Sequence, residues 1–200
     1  MAVILFVGAD LPDQVAQELA TDYVLFCPEV RDVFSLLQTV TADIIMLALK
    51  HWHALLWEVV ASLPVTPGLV LLQMPGDRLT GHCRLPCWTS PFTSKRFQEI
   101  LSIPRKPDNY ALVILPVQGS YLPVLFDQLQ LVRRQMDGQV LVFTQEGDYW
   151  VSLQFEDLAV QLPVTRFTCL SNQLIVTRKG LRITKRGLFF RGGYLRIGNR

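Results

Sequence analysis

Strand and helix signals alternate five times over residues 2–103, and this alternation limits the first half of the chain to a few folds. The apolar run Val3-Ile4-Leu5-Phe6-Val7 ends at Gly8, as a strand covered on both faces should. Residues 11–20 follow with a helical pattern, Val15, Leu19 and Ala20 apolar against Gln14, Gln17 and Glu18. Residues 23–26 read as a second strand. Residues 30–40 read as a helix with Val33, Leu36, Leu37 and Val40 on one face. Residues 43–47 are a third strand, and 53–63 a third helix closed by Pro64. Residues 68–72 are a fourth strand, 84–89 a short fifth, and 94–102 a last helix. This order predicts a doubly wound α/β domain with a parallel sheet.

The grammar changes at residues 103–109, where two prolines and two cations interrupt the apolar periodicity. That tract reads as a linker or stiff connection. Beyond it, strand-like stretches dominate: 111–115, 121–125, 129–132, 140–143, 149–151, 174–176, 181–183, 188–190 and 194–197. Gly119, Asp137-Gly138, Gly147-Asp148, Gly187 and Gly192-Gly193 supply turns. One helix is expected over 155–162. The organisation predicted is a flavodoxin-like α/β domain over 1–103, a linker over 104–109, and a mostly β domain over 110–200.

Charge is sorted along the chain. The net value is only +2, yet residues 1–102 carry six basic and ten acidic groups, and 103–200 carry thirteen basic and seven acidic. Arg166 to Arg200 hold nine cations and no carboxylate. A surface of this kind attracts a polyanion, nucleic acid being the usual one; the plain alternative is a solvated basic face. With 50% hydrophobic residues, disorder is excluded as the native state. No apolar run reaches the roughly 18 residues of a membrane helix. Without a targeting segment the expected compartment is the cytoplasm, and no membrane association is expected. The four cysteines are irregularly spaced and read as reduced thiols. His82, Cys83 and Cys87 cluster, but a zinc site needs a fourth ligand, so small half-buried side chains are the better reading and no metal is expected. There is no Gly-rich phosphate loop, G-x-S-x-G or H-E-x-x-H, so neither a cofactor nor an enzymatic activity is expected. His51 and His53 flank Trp52 after the third strand, either as a sensing feature or as exposed capping residues.

Three stretches of the first half resemble the receiver domain of bacterial response regulators. Ile4-Leu5-Phe6-Val7 matches the strand leading to the family's acidic pair. Ala42-Asp43-Ile44-Ile45-Met46-Leu47 matches the strand that delivers the phosphorylated aspartate. Ser90-Pro91-Phe92 matches the family's Lys-Pro-Phe. The resemblance places Gly8 and Ala9 at the acidic pair, Ala48 at the nucleophile and Ser90 at the lysine. Receiver phosphorylation needs a carboxylate nucleophile and carboxylates for Mg²⁺. The expectation is therefore a pseudo-receiver with a degenerate acceptor site.

The second half resembles the LytTR family of mostly β DNA-binding domains. The resemblance rests on Asp127-Gln128-Leu129-Gln130-Leu131-Val132, on Phe167 to Thr177, and on Tyr194-Leu195-Arg196-Ile197-Gly198-Asn199-Arg200. Thr177 and Asn199 depart from the family's usual Asn and Arg. The resemblance implies that loops between strands enter the major grooves of double-stranded DNA. Carried over by position, Gln139, Asn172, Asn199 and Arg200 contact bases, through amide–adenine and Arg–guanine pairs. Arg134, Gln135, Gln173, Arg178, Lys179, Lys185 and Arg186 contact phosphates. For Asn172 the alternative is a turn residue that bonds its own backbone.

The two resemblances imply a sequence-specific, phosphorylation-independent transcriptional regulator, expected as a homodimer. Its receiver-like half would serve dimerisation or would sense a small-molecule ligand or a regulatory protein. The competing reading is a protein-interaction adaptor whose basic half binds an acidic protein surface.

Overall fold

The computed structural model describes residues 2–8, 11–19, 22–53, 55–63, 65–81, 83–102, 111–179, 181–184, 187–190 and 193–196. In the first half, strands β1 (Val3–Val7), β2 (Tyr23–Cys27), β3 (Ile44–Ala48), β4 (Gly68–Gln73) and β5 (Cys87–Thr89) form one parallel sheet in the order β2-β1-β3-β4-β5. Successive side chains point to opposite faces, so the unbroken apolar runs split into two cores. Leu5, Val7, Ile45, Leu47, Leu69 and Leu71 pack with helices α2 (Val30–Leu37) and α3 (Leu55–Ser62), through Val33, Leu56 and Val60. Ile4, Phe6, Ile44, Met46, Val70 and Leu72 pack with helices α1 (Asp13–Glu18) and α4 (Ser94–Leu101), through Val15, Phe97 and Ile100. Helices thus cover both faces of the sheet.

Several elements are shorter than their patterns suggest. The helix expected over 11–20 starts after Pro12 and ends at Glu18. The one expected to reach residue 40 stops at Leu37, and the Thr39 hydroxyl then donates to the Leu36 carbonyl at 2.9 Å. A bond of that kind competes with the helix ladder. Residues Leu49–His51 form a 3-10 turn ahead of the third helix, Leu55–Ser62. Of residues 84–89 only Cys87–Thr89 are strand, since Pro86 has no N–H for the ladder.

In the second half, β6 (Leu112–Val117) and β7 (Ser120–Leu125) form a hairpin. Its two-residue turn places Gln118 and Gly119 at φ 46° and 75°, the positive pair that a tight hairpin turn requires. Strands β8 (Leu129–Arg134), β9 (Val140–Thr144), β10 (Asp148–Val151), β11 (Phe167–Ser171) and β12 (Leu174–Thr177) form an antiparallel sheet ordered β10-β9-β8-β12-β11. Helix α5 (Phe155–Gln161) joins β10 to β11. Strands β13 (Arg182–Thr184), β14 (Gly187–Phe190) and β15 (Gly193–Arg196) form a separate small sheet. Strand β11 has no counterpart among the strands read from the sequence pattern. As an edge strand, β11 keeps polar side chains exposed and shows no alternating apolar signal.

The β6–β7 hairpin has two apolar faces. Val113, Leu115, Leu122 and Val124 enter the core formed with α5 and the antiparallel sheet. Leu112 and Ile114, with Tyr121 and Leu125 beside them, join the core of the α/β half. The Tyr121 N–H donates to the Arg78 carbonyl at 2.7 Å, and the Thr80 N–H to the Tyr121 carbonyl at 2.8 Å. The unbroken apolar run at Ala111 to Leu115 fits a strand covered on both sides.

Candidate nucleic-acid interface and sheet-edge cavity

Antiparallel pairing brings the loops that carry Gln139 and Asn172 to one end of the five-stranded antiparallel sheet. Strand β8 ends at Arg134, paired with Val140 at the start of β9. Strand β12 begins at Leu174, paired with Arg133 of β8. The β8–β9 and β11–β12 loops therefore lie side by side, and the Arg134 N–H donates to the Gln173 carbonyl at 2.9 Å.

Local bonds set the shape of each loop. In the first, the Gln135 N–H donates to the Gln139 carbonyl at 2.8 Å, and the Asp137 carboxylate accepts the Gln139 N–H at 3.0 Å. In the second, the Ser171 hydroxyl accepts the Gln173 N–H at 3.2 Å and the Cys169 thiol donates to the Ser171 carbonyl at 3.0 Å. Ser171, not Asn172, closes that turn. Gln139, Asn172 and Gln173 are all exposed, and these bonds hold the backbones of Gln139 and Gln173. Two side-chain amides at neighbouring loop tips can each offer a paired donor and acceptor to a base edge.

The predicted phosphate contacts divide. Arg134 and Gln135 lie at this loop end, but the Arg134 guanidinium pairs with Glu156 of α5 at 2.7 Å. Arg133 faces the opposite side of the strand from Arg134. It is exposed, beside Leu141 and Leu174, and Trp150 lies across from Leu141 with 45% of its surface open. The sequence reading passed over Arg133; adjacency of two arginines in a strand was the available signal, because one of the two must point away from the other. Arg178 and Lys179 follow the far end of β12, away from the amide loops. There Arg178 Nε donates to the Phe167 carbonyl at 3.1 Å. Arg166 also pairs with Asp127 at 3.3 Å. Lys185, Arg186, Asn199 and Arg200 lie outside the described residues.

The second candidate feature is at the carboxyl edge of the parallel sheet. The order β2-β1-β3-β4-β5 grows in opposite directions from β1, which leaves a crevice between the carboxyl ends of β1 and β3. Ligands of open α/β sheets bind at such a switch point. A cavity of about 190 Å³ lies there, lined by Phe6, Gly8, Pro12, Ala48, Lys50, His51, Leu72 and Met74. Gly8 has φ 146°, and a Cβ on it would come within 3.2 Å of the Phe6 ring. Ala48 ends β3 and presents only a methyl group, with no atom to phosphorylate. Ser90 is exposed after β5 and is not among the lining residues; Ala9 lies outside the described residues. Asp43, at the opposite edge, accepts the Val3 N–H at 2.9 Å and so tethers the start of β1.

The lining named above contains two basic side chains and no carboxylate. Burial, then the neighbouring Lys50 charge, lowers the His51 pKa; burial also lowers that of His53. Both histidines are therefore mostly neutral at pH 7. Among the described residues no group of three or more His, Cys, Asp or Glu is placed to hold a metal. No helix in them is long and apolar enough to cross a membrane.

No family model matches the chain, and no curated protein matches it. Among solved structures, the chain is similar to the LytTr DNA-binding domain of a methyl-accepting/DNA response regulator from Bacillus cereus. That similarity has 15% identity and a TM-score of 0.34, and it covers 40% of this chain and 76% of that one.

Proposed function

We propose that this protein is a sequence-specific DNA-binding transcriptional regulator that works without phosphorylation. The observation that carries the reading is the meeting of Gln139, Asn172 and Gln173 at one end of the antiparallel sheet, in a half with an excess of cations. The amides supply base recognition, and Arg133 and the C-terminal cations supply phosphate contacts. The α/β half is a receiver-type, flavodoxin-like domain whose acceptor position is Ala48. It serves dimerisation or senses a ligand or partner, and the cavity beside Lys50 and His51 is the input site. The reading places the protein in the cytoplasm.

Selection from a random duplex pool with the full chain tests the proposal. The expected result is an enriched motif of paired half-sites, bound about 5- to 150-fold more weakly by Asn172→Ala, since one good bidentate base contact is worth about 1–3 kcal/mol. Salt-sensitive binding without an enriched motif would sink the proposal. If an acidic protein, and not unrelated duplex, displaces the bound probe, the adaptor reading holds instead.

A further inference from the structure

One apolar side chain is out of place on the β8–β9 loop. Met136, between Gln135 and Asp137, is fully exposed. It buries no surface of its own, so it adds nothing to the packing of the chain. The backbone that carries it is nonetheless closed by bonds. The Gln135 N–H donates to the Gln139 carbonyl at 2.8 Å, and the Gly138 N–H to the Gln135 carbonyl at 3.0 Å. The one carboxylate of this loop, Asp137, is engaged on the Gln139 N–H at 3.0 Å. Met136 therefore stands on a fixed loop that also carries the Gln139 amide, and the Asn172 loop lies alongside. One row down the sheet from this loop, Arg133, Leu141 and Trp150 lie side by side on neighbouring strands.

We propose, on the DNA-binding reading above, that Met136 is a specificity residue that reads thymine by contact with its 5-methyl group in the major groove. Each base pair shows a distinct pattern in that groove, and the thymine methyl is the one apolar mark in it. An amide matches N6 and N7 of adenine but has nothing to offer the methyl of the paired thymine. An apolar side chain has the opposite competence. Met136 and Gln139, on one loop, thus bring the two chemistries that an A·T step displays.

The side chain suits the task. Methionine is unbranched and polarizable, and it adapts its shape to an apolar surface. It has no charge or strong hydrogen-bonding group with which to hold a phosphate, unlike Arg133 beside it. What it gains on binding comes from removing its own apolar surface and that of its partner from water. Because the loop backbone is already bonded, docking orders little beyond the side chain itself.

Deoxyuridine differs from thymidine only by the missing methyl group, which makes the test direct. The operator comes from the random-duplex selection, and each thymine in it is replaced singly by deoxyuridine. Affinities of the full chain, Met136→Ala and Met136→Leu are compared by fluorescence anisotropy at one salt concentration. The expected result is a thymine in each half-site whose replacement weakens the wild type about four-fold, the effect of one buried methyl group. Met136→Ala should bind the thymine operator more weakly and show equal affinity for thymine and uracil at that position. Met136→Leu, which keeps an apolar side chain, should retain the difference. All three should melt together, since Met136 buries no surface, so a change in affinity is not a folding defect. A wild type indifferent to uracil at every thymine would overturn the proposal, even if Met136→Ala binds poorly, as a wedge between base steps would produce. So would the same thymine-to-uracil ratio in the wild type and Met136→Ala. Both of these outcomes leave the DNA-binding reading standing, whereas failure to enrich any operator would overturn that reading and the role of Met136 together.

Discussion

Arg133 and Arg134 are neighbours in sequence, but strand geometry gives them different surroundings. Arg134 shares its charge with Glu156, and a half-exposed pair of this kind contributes little to stability. Arg133 points from the other face. We expect Arg133→Ala to lower DNA affinity and to reduce the salt slope by about one, as loss of a phosphate contact does. Arg134→Ala should change both by less. Affinity measured across a salt series decides the point, and equal losses for the two would remove the role given to Arg133. Gly8 allows a second residue-scale prediction. Its φ of 146° disfavours any side chain, and the Phe6 ring leaves little room for one. Gly8→Ala should cost about 1–3 kcal/mol, the range for a residue forced into a sparsely populated backbone region. Thermal unfolding reads that loss as a drop of about 2–4 °C per kcal/mol in a chain of this size.

At the scale of elements, the 3-10 turn Leu49–His51 ties the cavity to pH. Burial and the Lys50 charge lower the His51 pKa, and burial lowers that of His53. The unfolded chain then binds the more protons as pH falls below the ordinary histidine value near 6.5. The stability linked to these neutral histidines is present above about pH 6.5 and is lost as pH falls through their lowered folded values. The wild type should lose melting temperature more steeply below that pH than the His51→Asn, His53→Asn double variant. Identical pH profiles would refute the linkage. The β6–β7 hairpin carries another prediction. Ile114→Ala removes a buried side chain from the α/β core and should cost about 2–5 kcal/mol. Because the hairpin's opposite face lies in the second core, amide exchange should speed up in both Val3–Val7 and Val140–Thr144. Acceleration confined to one strand would mean that the halves unfold independently.

For the whole molecule, sorted charge governs association. If roughly four to six cations per protomer reach phosphates, log K should fall against log salt with a slope of about −4 to −5. A slope near −1 would rule out docking of the loops in the grooves. If the proposed receiver-type reading holds, with Ala48 at the acceptor position, acetyl phosphate should neither label the protein nor change its DNA affinity. Stoichiometric labelling would show that another residue accepts the phosphoryl group.

The sequence by itself determined the alternation of elements, the change of style after residue 103, the charge imbalance between the halves, and the chemistry each site residue can offer. These are local properties, readable from periodicity, turn residues and counts. The third-strand pattern likewise places Ala48 at the sheet's carboxyl edge and Asp43 at the other. Only tertiary structure decided which loops share an end of the sheet. That depends on β8 pairing with both β9 and β12, a register between segments far apart in the chain. The same non-local packing separated Arg178 and Lys179 from the amide loops and paired Arg134 with Glu156. It also opened a cavity beside Lys50 and His51 and gave the hairpin a core on each face. An apolar run signals that both faces of a strand are covered, but what covers them is fixed only when distant segments pack together.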